Sequence, residues 1–354
     1  MFRPIKVLVV DDSALVRDII AKGLSQDPAI EVVGTAGDPY QARDRIQELH
    51  PDVITLDVEM PRMDGVEFLR KLMPQHPLPV VMVSALTERG KQITLEALEA
   101  GAVDFVAKPK ADIARGLEMM MMELRTKIKI ASTANVSHWK KMRPRHGHVA
   151  PFAVPQKGSK PLHESTDKVI AIGASTGGTE AIREILVHLP ASMSGVVIVQ
   201  HMPAGFTRLF AERLNSLCAM EVKEAADGDR IITGCALIAP GGQQMRVVRS
   251  GGVYRVAIRH EPPVNGHCPS VEVLFDSVAQ QVGANAIGVM LTGMGADGAD
   301  AMRRMRDAGA RCLAQDEASC VVFGMPKEAY RRGGAEELVP LSEIAGRLLE
   351  LTKK

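Results

Sequence analysis

From Ile5 to about Met122, short β-branched runs alternate with stretches of helical periodicity, five times in succession. A chain with this rhythm cannot pair consecutive strands as hairpins, and the architecture open to it is a parallel sheet with helices on its faces. The strand candidates are Ile5–Val10, Ile30–Thr35, Val53–Leu56, Val80–Val83 and Val103–Val106, each followed by a helical segment. Five βα units in about 120 residues predict a doubly wound α/β domain over residues 1–125.

Between about Asn135 and Thr166 the periodicity disappears. Pro144, Gly147, Pro151, Pro155, Gly158 and Pro161 punctuate a stretch rich in Lys and Arg that holds the single tryptophan, Trp139. It reads as an interdomain linker, taken as residues 126–166, whose basic residues could form a docking patch, solvated charge being the commoner case. Regularity returns at Lys168, with strands expected at Val169–Ile172, Val196–Gln200 and Ala286–Thr292 and helices at Thr179–Leu189 and Ser270–Val282. Met245–Arg249 and Val253–Ile258 flank Ser250-Gly251-Gly252, the pattern of a β-hairpin. Residues 167–354 are therefore expected to form a second α/β domain, a mainly parallel sheet with an antiparallel insertion. The total of 354 residues suits two domains, each with its own core.

Composition narrows the function classes. With 46% hydrophobic residues, 24% charged residues and a net charge of +1, the chain has the make-up of an ordinary globular protein. The balanced charge and 3% aromatic content leave neither the basic footprint nor the stacking surfaces of a nucleic-acid binder. No uncharged apolar run approaches the roughly 20 residues needed to span a bilayer, so no membrane insertion is expected. With the first strand read from Ile5, no signal peptide is expected. Cys218, Cys235, Cys268, Cys312 and Cys320 form no CxxC pair, which argues against a disulfide framework or a zinc site and fits the cytoplasm.

In open α/β sheets the functional crevice lies at the carboxyl ends of the strands. In the first domain those ends carry Asp11 and Asp12, then Asp57, Ser84 and Lys108. Converging carboxylates repel one another unless a hard cation joins them, and Mg²⁺ suits such sparse oxygen ligation. A lysine opposite them can neutralise a phosphoryl group and a hydroxyl can bond its oxygens, so the chemistry implied is aspartyl phosphorylation. Taken singly, Asp11 and Asp12 could merely cap the next helix.

The segments VVDDSALVR, TLDVEMPRMDG, VSALT and DFVAKP resemble the receiver domain of two-component response regulators over residues 4 to about 125. The resemblance implies a flavodoxin-like fold with Asp57 as phosphoacceptor. It further implies Mg²⁺ held by Asp11, Asp12, Asp57 and the Val58 carbonyl, Lys108 as the phosphoryl contact, Ser84 as the switch hydroxyl and Phe105 as the switch aromatic.

In the second domain Gly173-Ala174-Ser175-Thr176-Gly177 lies between a strand and a helix, the setting in which G-x-S-x-G exposes a serine nucleophile. Serine needs a base, and the base an orienting group. Of the histidines, His188 falls within a helical run, His260 lies beyond the hairpin and His267 sits in a Pro/Gly-rich segment. His201 directly follows a strand and emerges on the same sheet edge as Ser175, which makes it the best geometric candidate. Asp297 occupies another strand-end loop, with Asp300 as a rival. The same glycine-rich turn could instead cradle a phosphate. The chain order Ser, His, Asp departs from the Ser, Asp, His order of α/β-hydrolases.

IGASTGGTEAI, VQHMPAGFTRLFAERL, PPVNGHCPSVEVLF, LTGMGADGADAM and AQDEASCVVFGMPKEA resemble the catalytic domain of the chemotaxis-specific protein-glutamate methylesterases. With the receiver match, the resemblance covers nearly all of the chain outside the linker. It implies Ser175 as nucleophile, His201 as general base, Asp297 as the orienting carboxylate and the Met294 backbone N–H in the oxyanion hole. The Thr176 N–H, next after the nucleophile, is the natural second donor. The implied reaction is hydrolysis of glutamate γ-methyl esters on methyl-accepting chemoreceptors and deamidation of their glutamines. The esterase step needs no cofactor. Control would come through Asp57, phosphorylated by the chemotaxis histidine kinase. Two readings from other classes are a receiver with a nucleotide-binding or transcriptional output, and a non-catalytic receptor-docking adaptor.

Overall fold

The computed structural model describes residues 3–85, 87–109, 113–137, 139 and 168–353. The chain divides into two compact units, Met1–Gly147 and His148–Lys354.

The first unit runs β1 (Ile5–Val10), α1 (Ala14–Leu24), β2 (Ile30–Ala36), α2 (Pro39–Leu49), β3 (Val53–Asp57), α3 (Gly65–Gln75), β4 (Val80–Ala85), α4 (Glu88–Glu99), β5 (Asp104–Lys108) and α5 (Ile113–Ala131). Its strands are all parallel, in the order β2-β1-β3-β4-β5. Val7 to Val10, Val53, Ile54, Leu56 and Val80 to Val83 are all buried. Continuous apolar runs of this kind are what a strand covered on both faces requires. The chain passes from β1 outward to β2 and then crosses back to β3, so the order reverses between β1 and β3. The carboxyl ends of these two strands open the crevice there. Ser13 caps α1 by accepting the Val16 N–H at 3.4 Å. The two preceding aspartates are therefore not the cap.

α5 continues past residue 125, where the linker was expected to begin, to Ala131. Trp139 also packs on this unit. A Cβ at Gly101 would stand 3.0 Å from its indole Cε2. The proline-rich part of the expected linker, residues 140–166, lies outside the described residues.

The second unit contains β6 (Val169–Ala174), α6 (Gly178–Leu186), β7 (Gly195–Gln200), α7 (Phe206–Leu217), β8 (Glu221–Glu224), β9 (Cys235–Ile238), β10 (Gln244–Ser250), β11 (Val253–Arg259), α8 (Val271–Gln281), β12 (Ala286–Met290), α9 (Ala299–Asp307), β13 (Arg311–Gln315), α10 (Met325–Arg331), β14 (Glu337–Val339) and α11 (Leu341–Lys353). Seven strands form one wholly parallel sheet in the order β14-β13-β12-β6-β7-β9-β8. The antiparallel hairpin is present but forms a separate two-stranded sheet, β10-β11. Alternate hairpin residues Met245, Val247, Tyr254, Val256 and Ile258 bury against a core shared with Val271, Leu274, Phe275 and Val278 of α8. The hairpin thus supports α8, whose N-terminus borders the site. The order reverses at β6, with β7 on one side and β12 on the other.

Among the described residues no helix is long and apolar enough to cross a membrane. All five cysteines are free. Burial pushes the Cys235 and Cys312 thiols up to about 12, leaving them unreactive.

Candidate active site

Ser175 is the first residue beyond β6, and the sheet pairing continues past the strand ends to hold it. Its N–H donates to the Thr292 carbonyl at 3.0 Å, and its carbonyl accepts from the Gly178 N–H at 2.7 Å and from Gln200 Nε2 at 2.9 Å. The chain then turns through Gly177, at φ +78°, to start α6. A side chain there would be strained, and its Cβ would lie 2.6 Å from Val321 Cβ. Gly293, just past β12, is needed for a different reason. A Cβ on it would stand 2.7 Å from Ser175 Cβ, so only glycine lets the β12–α9 loop close on the serine.

Register explains why His201 meets this turn. Ala174 pairs with Gln200 across β6 and β7, which makes Ser175 and His201 the next rung, and the His201 N–H donates to the Ala174 carbonyl at 3.1 Å. The other partner comes from beyond β12. His201 Nε2 lies 2.9 Å from Asp297 Oδ2, with the two side chains 8% and 1% exposed. Asp297 also accepts from Asn265 Nδ2 at 2.9 Å, Ser270 Oγ at 2.8 Å and the Val271 N–H at 2.7 Å. Burial opposes ionisation of Asp297, but the hydrogen bonds from His201 and Asn265, the charge on His201 and the Ser270 bond outweigh it and hold the carboxyl at about 2. An ionised carboxylate has no proton to give, so the hydrogen of the His201–Asp297 bond belongs to Nε2. In the neutral ring Nδ1 is then left with its lone pair, and Nδ1 is buried without a partner.

The rival groups lie elsewhere. Asp300 is paired with Arg332 at 2.7 Å on the surface, His260 is exposed, and the ring of exposed His188 sits 2.7 Å from the Glu184 carbonyl on its own turn. His267, set aside in the sequence reading, stacks on His201 with ring centroids 3.7 Å apart. Asn265 and Ser270 were also missed. Only the segment PPVNGHCPSVEVLF, as a block, pointed to them. Thr176 is buried and its carbonyl accepts from Thr292 Oγ1 at 3.0 Å, while Met294, next to Gly293, is 48% exposed.

In the first unit Asp11, Asp12 and Asp57 bring one carboxylate oxygen each within 4.8 Å of one another. Asp11 and Asp57 are buried, and Lys108 Nζ bridges them at 2.9 and 2.8 Å. Burial raises the Asp57 carboxyl to about 6 with the Asp11 charge adding to it, even though Lys108 pulls the other way. The two carboxylates in turn raise the Lys108 ammonium despite its own burial. A cluster whose ionisation is opposed in this way fits a divalent cation, which would relieve the repulsion. A surface pocket of about 350 Å³ opens beside Asp12 and Val58. The Val58 carbonyl accepts the Gly65 N–H at 3.0 Å and keeps one lone pair. Ser84 is turned toward α4, its Oγ accepting from Thr94 Oγ1 at 2.7 Å and donating to the Gly90 carbonyl at 3.3 Å. Phe105 is buried, with the Lys127 ammonium 5.0 Å from its ring centroid.

Residues 7–118 match the response regulator receiver domain family, and residues 170–348 match the CheB methylesterase family. The protein-glutamate methylesterase/protein-glutamine glutaminase of Syntrophotalea carbinolica is 70% identical, over 99% of this chain and 98% of that protein. A protein of the same name from Albidiferax ferrireducens is 55% identical, over 98% of this chain and 94% of that protein. Among solved structures, the Thermotoga maritima CheB methylesterase catalytic domain aligns with a TM-score of 0.51 at 36% identity, covering 52% of this chain and 98% of that one. With a receiver unit ahead of a Ser, His and Asp brought to adjacent strand ends, and with relatives of this identity over the whole length, the chain belongs to the protein-glutamate methylesterase/protein-glutamine glutaminase family of response regulators.

Proposed function

We propose that this chain hydrolyses glutamate γ-methyl esters on the cytoplasmic helices of chemoreceptors, releasing methanol, and deamidates receptor glutamines at the same site. The observation that carries this reading is the line Ser175, His201, Asp297 across three neighbouring strand ends, with the Asp297 carboxylate 2.9 Å from His201 Nε2. Ser175 Oγ attacks the ester carbonyl carbon while its proton passes to His201 Nδ1. The oxyanion is held by the backbone N–H groups of Met294 and Thr176. The C–O bond to methoxide breaks as His201 returns the proton, methanol leaves, and a γ-glutamyl ester remains on Ser175. Water attacks that ester with His201 again taking the proton, and the glutamate and free serine are restored. The imidazole is used in the opposite sense to the trypsin-type triad, in which Nδ1–H faces the carboxylate. Deamidation follows the same steps with ammonia as the poorer leaving group.

In the first unit Asp57 is the proposed phosphoacceptor, its carboxylate oxygen taking a phosphoryl group from the chemotaxis histidine kinase. Asp11, Asp12, Asp57 and the Val58 carbonyl would hold Mg²⁺, which when bound neutralises the charge gathered there. Lys108 already contacts Asp57 and would stay with the phosphoryl oxygens. Ser84 would have to leave its bonds to α4 to reach them, and Phe105 is the proposed aromatic of the same switch. A role in the cytoplasm, with no nucleic acid and no membrane insertion, completes the reading.

A serine-directed phosphonate, followed by peptide mass mapping, is expected to modify Ser175. Stoichiometric modification elsewhere, with ester hydrolysis lost, would refute the assignment.

A further inference from the structure

The loop between β11 and α8 is built to grip the candidate triad from one side. Val264 and His267 exchange both backbone hydrogen bonds, N–H to carbonyl, at 3.0 and 2.9 Å. Fully buried Gln244 ties this small turn down. Its Nε2 donates to the carbonyls of Pro262 at 3.3 Å and His267 at 3.2 Å, and its Oε1 accepts the Ser270 N–H at 2.9 Å. Asn265, held at φ +53°, reaches Asp297 from the tip of the turn, and Ser270 reaches it from the base. Between those contacts the His267 ring lies on His201, with centroids 3.7 Å apart and planes within 10° of parallel.

The carboxylate alone does not fix the His201 ring. One Nε2–H···O bond leaves the imidazole free to pivot about that contact, which would swing the opposite nitrogen. A planar group laid flat against the ring removes this freedom, because the stack is lost once the planes tilt. We propose that His267 is a positioning residue that holds the His201 ring in the one orientation in which Nε2 stays on Asp297 and Nδ1 is left to take the serine proton. Burial, with the charge of His201 second and Asp297 opposing, lowers the His267 imidazole to about 4, so it stays neutral and does not repel the ring it covers. When His201 carries the proton, its cationic ring faces the π cloud of a neutral partner, a contact of the favourable kind.

This inference rests on the triad reading above, and the test separates the two. In the full chain, His267→Phe keeps a planar partner, whereas His267→Leu keeps the bulk without the stack. Methanol release is measured for both beside Ser175→Ala, and side-chain ¹⁵N spectra of His201 are recorded for the wild type and each folded variant. The Leu variant should lose about 10- to 100-fold in kcat with KM little changed, as expected for a misdirected base, and the Phe variant should recover most of that loss. The wild type and Phe variant should show His201 as one tautomer, protonated on Nε2, and the Leu variant a mixture. Full kcat in the Leu variant, equal losses in both variants, or a tautomer mixture in the wild type would each overturn the proposal. Activity surviving in Ser175→Ala would instead remove the triad reading on which it rests.

Discussion

Asp297 gathers four donors on one buried carboxylate, and this sets what a single atom change there would do. Asp297→Asn with its oxygen kept toward Asn265 and Ser270 presents an NH₂ group to His201 and leaves the Val271 N–H without its acceptor. The ring must then accept at Nε2 and carry its hydrogen on Nδ1, the wrong tautomer for a base. We expect kcat to fall by roughly 10³- to 10⁴-fold with the fold intact, as checked by circular dichroism and methanol release. Because the carboxyl titrates at about 2, it should add no limb to the pH–rate profile above pH 4. Asp57 gives the opposite sign. Its pKa is raised, so the folded state holds the proton more tightly than the unfolded chain. The resulting stability is present in full below the unfolded value and is lost as pH rises through about 6. Asp57→Asn should therefore raise the melting temperature of the first unit by several degrees at pH 7.5 without Mg²⁺, and by little at pH 4. An equal shift at both pH values would show that charge is not the cause. At this scale Ser175 and His201 were legible because each directly follows a strand, and Asp297 because it lies in the loop after β12. Asn265, His267 and Ser270 were not, because they lie on a loop whose path depends on buried Gln244 some twenty residues earlier, a long-range contact with no local pattern.

Among the elements, the β12–α9 loop is the most exacting. Gly293 passes so close to Ser175 that a methyl group has no room, with Met325 Sδ on its other side at 2.5 Å from the would-be Cβ. Gly293→Ala must push the loop or the serine aside. It should cost about 1–3 kcal/mol of stability and at least 10-fold in kcat, measured by denaturant melts and ester turnover. The strands read from the sequence are those rich in valine and isoleucine. β8 (EVKE), β9 (CALI), β13 (RCLAQ) and β14 (ELV) were missed because they are short and carry few β-branched residues. They are strands because β7 and β12 offer edges to β9 and β13, which in turn pair with β8 and β14, so context rather than propensity decides. The hairpin was legible from its turn, but nothing local showed that it would form its own sheet and support α8. The start of the linker was misplaced because the helical pattern of α5 runs on to Ala131 after the receiver motifs have ended.

For the molecule as a whole, two units with separate chemistry share one chain. Coupling between them must come from a phosphoryl group that changes the balance of conformations, and its size is set by the difference in its interaction with each. Asp57→Ala should accordingly abolish any response to a phosphodonor while leaving serine-dependent turnover in place. The most direct measurement is methanol release from methylated chemoreceptor by the full chain, with and without a small phosphodonor and Mg²⁺, beside the Ser175→Ala and Asp57→Ala variants. The prediction is release that rises with phosphodonor, falls by about 10⁴-fold or more in Ser175→Ala, and is indifferent to phosphodonor in Asp57→Ala. Release that survives the loss of Ser175, or none at all from folded wild-type protein in either state, would contradict the account.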